Sequence, residues 1–282
     1  MLKKIIIGIF ILVIAGSCLA NKRNSNQPVF DLNRYQKTDM SEMIVELKKH
    51  RIILLGEHHG NKRHHKAQLA VIQALEQSGV KVAIGLEMFR DDSQSALDNW
   101  IAGELDPRNF ERIYYDNWNF PFAAYRMIFE YAREKKIPMI GLNVSRDITR
   151  QVSRQGFDSL SKEKKGKLSE VTCRVDETYM NYIRKAFGAH AHGNLNFIYF
   201  CEAQLVWDNI MAINILNYIN QNPDAMVVVL TGAGHAQKVA VPRQIRSRSA
   251  WPYAVILPEV PGKIDAETIS KKEADYIMLD IN

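Results

Sequence analysis

Histidines and a glutamate crowd into one short stretch of this chain, and side chains of these types can carry out chemistry. Four of the eight histidines lie between residues 58 and 65, and Glu57 directly precedes them. Glu57 could act as a general base, as a metal ligand, or as an acceptor that orients His59 through a hydrogen bond. The alternative is a structural network in which Glu57 and His59 only hold the loops together.

A second turn repeats the spacing of the first much later in the chain. Gly232 and His235 are three residues apart, as are Gly56 and His59, and each turn follows an apolar run that predicts a buried strand. Ligands of α/β proteins bind beyond the carboxyl ends of the strands, where such turns lie. If the two strands are neighbours, Glu57, His59 and His235 converge on one site.

Further polar residues lie at the predicted ends of strands and helices. His64 and His65 begin a predicted helix, where His64 in particular could bind a ligand and where both could simply face solvent. Glu87 follows the next predicted strand and could either join the site or form a salt bridge with Arg90.

Three more sets of polar residues could take part in a site or could have only a structural or surface position. Gln204 and Asp208 share one face of a predicted helix, although such pairs also occur on plain helix surfaces. Asn143 ends a strand and could bind a ligand or cap the next helix. His190 and His192 form a His-x-His pair that could bind metal or lie exposed in a loop.

The composition narrows the possible functions. The formal net charge is +6, part of it from Lys3 and Lys4, and no basic stripe with interleaved aromatic residues is present, which argues against nucleic acid as a partner. The motifs HExxH, GxSxG, the P-loop and CxxCH are absent, and the last absence excludes covalently attached c-type haem. Cys173 and Cys201 could form a disulfide after export or remain buried thiols.

The pattern of apolar residues predicts the elements that must position these side chains. Strands are expected at 51–55, 80–86, 137–142, 226–230 and 254–257, and helices at 64–77, 93–101, 122–135, 149–155, 175–187 and 203–220. This alternation predicts an α/β fold with a mostly parallel central sheet flanked by helices, and a helical subdomain or lid. A single domain is expected over residues 39–282, with helical insertions around 90–135 and 145–220.

The first residues predict export. Lys3 and Lys4 precede an apolar run over residues 5–14, and small residues then lead to Cys18. This order is typical of a lipoprotein signal peptide over residues 1–18, after which Cys18 would carry the lipid. The alternative is ordinary cleavage after Ala20. The polar residues that follow predict a flexible tether over 19–38.

Several of these motifs together resemble one known family, the ChaN-like haem-binding lipoproteins. They belong to a superfamily that also contains the Tiki proteases and the erythromycin esterases. The resemblance covers roughly residues 40–260 and rests on Gly56-Glu57-x-His59, His64-His65-x-x-Gln68, Leu86-Glu87-Met88-Phe89, Ile140-Gly141-Leu142-Asn143, Ala203-Gln204-x-x-Trp207-Asp208-x-x-Met211-Ala212, and Gly232-x-Gly234-His235 with Val241-Pro242.

The resemblance implies an exported haem-binding lipoprotein that takes part in iron or haem uptake. Its implied cofactor is haem, and its implied partners are a second copy of the chain, the membrane through a lipid anchor, and a haem transporter. The expected location is the outer membrane of a Gram-negative bacterium. The residues expected to bind haem are His59, His64, His65, Glu87, Tyr125, Gln204, Asp208 and His235.

Haem ligation in the style of this family implies a tyrosine with a histidine close by. Tyr125 has the most family-like surroundings among the candidates in the predicted helical layer, which are Tyr114, Tyr115, Tyr125, Tyr179 and Tyr182. The aromatic run over residues 113–122 suits a flat apolar ligand or a subunit contact, and core packing is the alternative.

The same superfamily implies a rival function, a metal-dependent or general-base hydrolase. In that case His59 and His235 would bind a divalent ion or flank a water molecule, and Glu57 would take its proton. A third possibility is that this polar site persists as a structural network while haem binds elsewhere.

Overall fold

The computed structural model describes residues 27–187 and 196–281, which form eight strands in one sheet. The strands are β1 (Pro28–Asp31), β2 (Gln36–Asp39), β3 (Ile52–Glu57), β4 (Val82–Arg90), β5 (Met139–Asn143), β6 (Met226–Gly232), β7 (Tyr253–Pro258) and β8 (Tyr276–Met278). Their order across the sheet is β2-β1-β8-β7-β3-β6-β4-β5. The strands from β8 to β5 are all parallel, which confirms the predicted mostly parallel sheet.

Helices cover both faces of this sheet. They are α1 (Met40–Leu47), α2 (Lys62–Gln77), α3 (Gln94–Ala102), α4 (Pro107–Asn117), α5 (Phe122–Lys135), α6 (Arg146–Gln155), α7 (Lys162–Lys167), α8 (Glu177–Phe187), α9 (Phe197–Gln221), α10 (Ala233–Ala236) and α11 (Val241–Arg246). Among the described residues, no helix has the length and apolar character needed to cross a bilayer.

The alternation of side chains along the strands divides the core into two layers. In β3, Ile53 and Leu55 pack with α1, α2 and α5, whereas Ile52 and Leu54 pack with α9 and α11. Every residue of β3 and β6 is buried, as a parallel sheet covered on both faces requires. The predicted helical insertions correspond to α3–α5, against one face of the sheet, and α6–α8, beside α9.

The amino-terminal part differs from the prediction of a flexible tether over 19–38. Residues 28–39 form the hairpin-like pair β1 and β2, and β1 pairs antiparallel with β8 at one side of the sheet. Both strands are only four residues long and β2 is largely polar, so they lack the apolar run on which strand prediction depends. Cys18 and the predicted signal peptide lie outside the described residues.

The order of the strands brings the two Gly-x-x-His turns together. β6 lies between β3 and β4 in the sheet. After β3 the chain therefore passes through α2 and re-enters the sheet as β4, two strand positions from β3. In the parallel register Glu57 at the end of β3 is opposite Gly232 at the end of β6. The two Gly-x-x-His turns are therefore neighbours at the carboxyl edge of the sheet, as the sequence predicted.

Candidate functional site

The first half of the site is built around Glu57, the last residue of β3. Its carboxylate is buried, and Nδ1 of His59 lies 2.7 Å from Oε1, which also accepts a hydrogen bond from the hydroxyl of Tyr125. Nδ1 of His65 lies 3.1 Å from Oε2. A carboxylate only accepts hydrogen bonds, so the proton of the 2.7 Å contact belongs to Nδ1 of His59. The Nε2 atom of His59 is thereby directed away from Glu57.

The second half of the site repeats this arrangement with other residues. Asp208 on α9 is completely buried, and Nδ1 of His235 lies 2.6 Å from its Oδ1. The hydroxyl of Tyr179 donates a hydrogen bond to Oδ2 of the same carboxylate. Each imidazole is therefore held by a carboxylate that is itself held by a buried tyrosine.

Glu87 joins the two halves. Its Oε1 lies 3.9 Å from Nε2 of His59 and 4.0 Å from Nε2 of His235, while Oε2 accepts hydrogen bonds from the hydroxyl of Thr231 at 2.6 Å and the amide of Gly232 at 2.7 Å. The separations to the imidazoles exceed hydrogen-bond length, so they leave space that a small polar group could bridge.

Gly232 allows this close arrangement. A Cβ atom at this position would lie 2.9 Å from Nε2 of His59, closer than real contacts of this kind come. The glycine is therefore required for space rather than for an unusual backbone conformation, since its φ of −55° is available to any residue.

The first pair consists of Glu57 and His59, and their surroundings favour the charged form of each group. Burial would raise the pKa of Glu57, but the hydrogen bonds from His59 and His65 outweigh it and hold that pKa well below its usual range. Burial would lower the pKa of His59, but its hydrogen bond to Glu57 and the charge of Glu87 raise it. The imidazole of His59 therefore keeps a proton more readily than a free histidine.

The second pair differs from the first in its carboxyl group, because burial raises the pKa of Asp208 in spite of the hydrogen bonds from His235 and Tyr179. Burial opposes a charge on His235, but the carboxylates of Asp208 and Glu87 outweigh it and raise the pKa of the imidazole to about 9. Burial, together with the charge of Asp208, raises the pKa of Tyr179, which therefore stays a neutral donor. Two imidazoles facing one carboxylate can bind a polar group or exchange protons with it.

Two indoles next to the imidazoles have buried groups without partners. The ring of Trp118 lies 5.1 Å from that of His59, and the ring of Trp207 lies 5.8 Å from that of His235. Within the described residues, neither indole Nε1 has a hydrogen-bond partner, nor does Oε1 of the buried Gln204. Buried polar atoms without partners indicate where water or a ligand group is expected.

The structure brings most of the predicted site residues together, but it gives His64 another position. The ring of His64 accepts a hydrogen bond from the amide of His58 at 2.9 Å, and its other nitrogen lies 3.0 Å from the amide nitrogen of Asn61. His64 thus holds the turn at the start of α2. Its role in binding haem stays a prediction, as do the roles of the other predicted haem residues.

Several of the open alternatives are now decided. Arg90 forms its ion pair with Asp92 and not with Glu87. The side-chain amide of Asn143 donates to the carbonyl of Glu87 at 3.0 Å, so it stabilises the strand that carries Glu87 instead of capping a helix. His190 and His192 lie outside the described residues.

Metal ligation and a disulfide find no support in the described part of the chain. No group of three or more His, Cys, Asp or Glu side chains there is arranged to hold a metal ion. Cys173 and Cys201 are both free thiols, and burial raises the pKa of each, to about 12 and about 11. The thiols are therefore protonated at neutral pH and poor ligands.

The aromatic run over residues 113–122 divides between two roles. Tyr114 and Phe122 are buried in the core, where they pack on Phe129. Trp118 and Phe120 instead lie against the ring of His59, each with a centroid distance of 5.1 Å. The core alternative is therefore correct for one part of the run, and the other part forms an aromatic wall of the site.

Thr231 is the site residue that sequence reasoning missed. It is buried in β6 and orients Glu87 through its hydroxyl. The available signal was a hydroxyl residue at the end of an otherwise apolar strand, Val227 to Leu230. A polar side chain in such a position needs a buried partner, and the carboxylate of Glu87 is that partner.

A family model identifies the class of the protein. A profile of the haem-binding uptake family ChaN, of the Tiki superfamily, matches residues 43–245. The chain belongs to this family, which confirms the resemblance expected from its motifs. Haem is accordingly the ligand of the family, as predicted.

Solved structures agree with this assignment. ChaN of Campylobacter jejuni, described with cofacial haem binding, has a TM-score of 0.69 at 20% identity over 90% of this chain and 96% of its own. The erythromycin esterase mutant EreC H289N in its open conformation has a TM-score of 0.50 at 16% identity over 77% of this chain and 72% of its own. At these identities the likeness shows a shared fold. No curated protein sequence matches the chain.

Proposed function

We propose that this protein is an exported, lipid-anchored haem-binding protein that takes part in haem or iron uptake. The single observation that carries the proposal is the family match over residues 43–245, which includes both halves of the candidate site. The similarity of fold to ChaN of Campylobacter jejuni, over 90% of this chain, supports it.

The aromatic wall of the site fits a porphyrin. The side chain of His59 is 26% exposed and is flanked by Trp118 and Phe120, which together offer flat apolar surface beside an imidazole. The buried, unpartnered Nε1 of Trp118 supplies a hydrogen-bond donor next to that surface. Bound haem would supply iron that accepts a nitrogen or oxygen ligand, and His59, oriented by Glu57, is a residue of this chain suited to hold it.

The candidate tyrosines differ in whether their hydroxyl groups are accessible and ionisable enough to bind the iron of haem. Tyr125 and Tyr179 are completely buried, and burial and nearby carboxylates raise their pKa values, so the phenolate that ferric iron prefers is disfavoured. Any contribution of Tyr125 to haem binding would act through Glu57, to which its hydroxyl donates. Tyr115 is 46% exposed and is the predicted candidate whose ring is most accessible.

Export, anchoring and assembly complete the proposal. Cys18, after its run of small residues, would carry the lipid that tethers the protein to the outer membrane. Cofacial haem binding in ChaN of Campylobacter jejuni supports a homodimer, since a pair of subunits brings two equivalent sites together. A haem transporter would be the partner that receives the haem. The hydrolase alternative has no support from the family match.

The test is a titration of the purified protein with haemin. We expect a shifted Soret band at an equimolar ratio of haemin to protein, and a weaker or altered shift after His59→Ala or Tyr115→Phe. Tyr35→Phe is the matched control, because Tyr35 is exposed in the turn between β1 and β2, and β8 and β7 separate those strands from β3, which carries Glu57. A protein that leaves the haemin spectrum unchanged would overturn the proposal. Labelling with a radioactive fatty acid that is lost in Cys18→Ala tests the anchor.

A further inference from the structure

A cavity outside the candidate site is lined in part by Tyr179, the residue that donates to Asp208. It has a volume of about 440 Å³, which is in the range of small-molecule sites. Three arginines line it, Arg174, Arg243 and Arg248, and so do the polar side chains of Thr172, Gln244 and Ser247. Among the described residues, the lining has three guanidinium groups and one carboxylate, that of Glu170.

Arg248 is held rigidly and has no acidic hydrogen-bond partner. Its guanidinium donates to Oδ1 of the buried Asn209, to the carbonyl of Glu170 at 3.2 Å, and to the carbonyl of Gln244 at 3.1 Å. Within the described residues, all of its hydrogen-bond acceptors are neutral, and the carboxylate of Glu170 acts on its charge only from a greater distance. Hydrogen bonds to Oε1 of Gln244 and Oγ of Ser247 add to these contacts, so the guanidinium lines the cavity in a fixed position, and its charge would attract an anion there.

The other two arginines leave the cavity positive. Arg243 forms an ion pair with Asp176 at the rim, whereas Arg174 is exposed and forms no ion pair with any described residue. Glu170 is the acidic residue of the lining. The cavity therefore has an excess of guanidinium groups, which bind phosphate and carboxylate oxygens in pairs.

The positive surface continues beyond the cavity. Arg243 and Ser247 also line an open groove that is formed in part by Arg246, Lys271 and Lys272. No ion pair of these last three side chains occurs among the described residues, and the groove ends at the half-buried ring of Trp251. An anionic ligand in the cavity would thus have room for a larger organic part along the groove.

We propose that this cavity is a binding site for an organic phosphate, held by Arg174 and Arg248 and extending past Arg243 into the groove. A phosphate group offers several acceptor oxygens and about two negative charges near neutral pH, which matches a site rich in donors and poor in anions. The site is separate from haem and does not rest on the proposed function. Its back wall is Tyr179, which holds Asp208 and, through it, His235.

The phosphate could belong to a soluble ester or to a lipid headgroup, and the two arms of the experiment distinguish these sources.

The experiment measures binding of inorganic pyrophosphate to the full-length protein by isothermal titration calorimetry. We expect saturable binding that Arg248→Gln and Arg174→Gln each weaken about tenfold or more, as loss of a charged hydrogen bond predicts. Arg154→Gln, an exposed arginine outside the cavity, should bind as the wild type does. Arg174 forms no hydrogen bond within the described residues, so Arg174→Gln should fold even if Arg248→Gln does not.

Vesicles of phosphatidylcholine, with and without phosphatidylglycerol, provide the second arm. Binding of pyrophosphate alone assigns a soluble ester as the source, and binding to the anionic vesicles that is lost in Arg174→Gln assigns a lipid headgroup. Binding to neither probe would overturn the proposal. So would equal loss of binding in Arg154→Gln, which indicates nonspecific charge, or tighter binding of citrate than of pyrophosphate, which indicates a carboxylate site.

Discussion

His59 and His235 face the same carboxylate oxygen of Glu87, at 3.9 Å and 4.0 Å from their Nε2 atoms. They come from turns almost two hundred residues apart in the chain, and each donates its Nδ1 proton to a different buried carboxylate. The two imidazoles are thus oriented toward a common space by partners that do not share that space. This relationship makes the effect of single substitutions predictable.

Substitution of Gly232 by alanine should disturb His59 directly. The new Cβ would lie 2.9 Å from Nε2 of His59, so the imidazole must shift from its position between Glu57 and Glu87. We expect a loss of about 1–3 kcal/mol in the free energy of unfolding, as for overpacking of a core, and a weaker haemin spectrum. Urea unfolding and haemin titration measure the two effects.

Gly166→Ala is the control for that substitution. Gly166 lies in α7, and a Cβ there meets nothing within 4 Å, so alanine should leave haemin binding unchanged and increase stability by about 0.5–1 kcal/mol. If Gly232→Ala binds haemin and unfolds as the wild type does, the space around His59 is not limiting.

The Asp208–His235 pair should make stability depend on pH in the alkaline range. The pKa of His235 is raised to about 9 in the folded protein, against about 6.5 in the unfolded chain. A raised pKa means that the folded state binds the proton more tightly. The contribution to stability is therefore complete below about pH 6.5 and is lost as the pH rises through about 9.

Comparison with Asp208→Asn isolates this contribution. The variant removes the carboxylate that raises the pKa of His235, so its stability deficit should be largest below about pH 6.5 and should shrink as the pH rises through about 9. Thermal unfolding at several pH values measures the difference, and NMR titration of the ring protons measures the pKa itself. A deficit that stays constant over this range would contradict the assignment.

Much of the fold and most of the site could be predicted because apolar periodicity and turn motifs carry that information. The fully buried strands β3 and β6 are continuous apolar runs, and the two Gly-x-x-His turns follow them directly. The geometric convergence of Glu57 and His235 then required only that the strands be neighbours, which the parallel register confirms.

The remaining features depend on contacts that no local pattern contains. The short strands β1 and β8 pair with each other across more than two hundred residues of sequence. Asp106 followed by Pro107 is a signal for the start of a helix, and helix α4 begins there. The interpretation of residues 113–122 rested on their aromatic content, so this helix was not predicted. The link from Thr231 to Glu87 joins residues of two neighbouring strands, so it became visible only with the sheet order.

Glu57→Gln addresses the hydrolase alternative. The substitution removes the buried negative charge that pairs with His59 and His65, so we expect a loss of about 3 kcal/mol in the free energy of unfolding and a lower pKa for His59. Ester and peptide substrates should show no turnover with the wild-type protein. Turnover that Glu57→Gln abolishes, while the variant remains folded, would instead establish a general-base role for Glu57.

Tyr125→Phe separates a haem ligand from a residue that only holds Glu57. The ring of Tyr125 is completely buried and its hydroxyl donates to Oε1 of Glu57, so its removal should cost about 1–2 kcal/mol of stability. The Soret band of the haemin complex should keep its position, because the oxygen of Tyr125 is not accessible. Tyr131→Phe is the matched control, since Tyr131 donates to Glu76 away from the site. A Soret band that moves in Tyr125→Phe but not in Tyr131→Phe would show that Tyr125 reaches the iron.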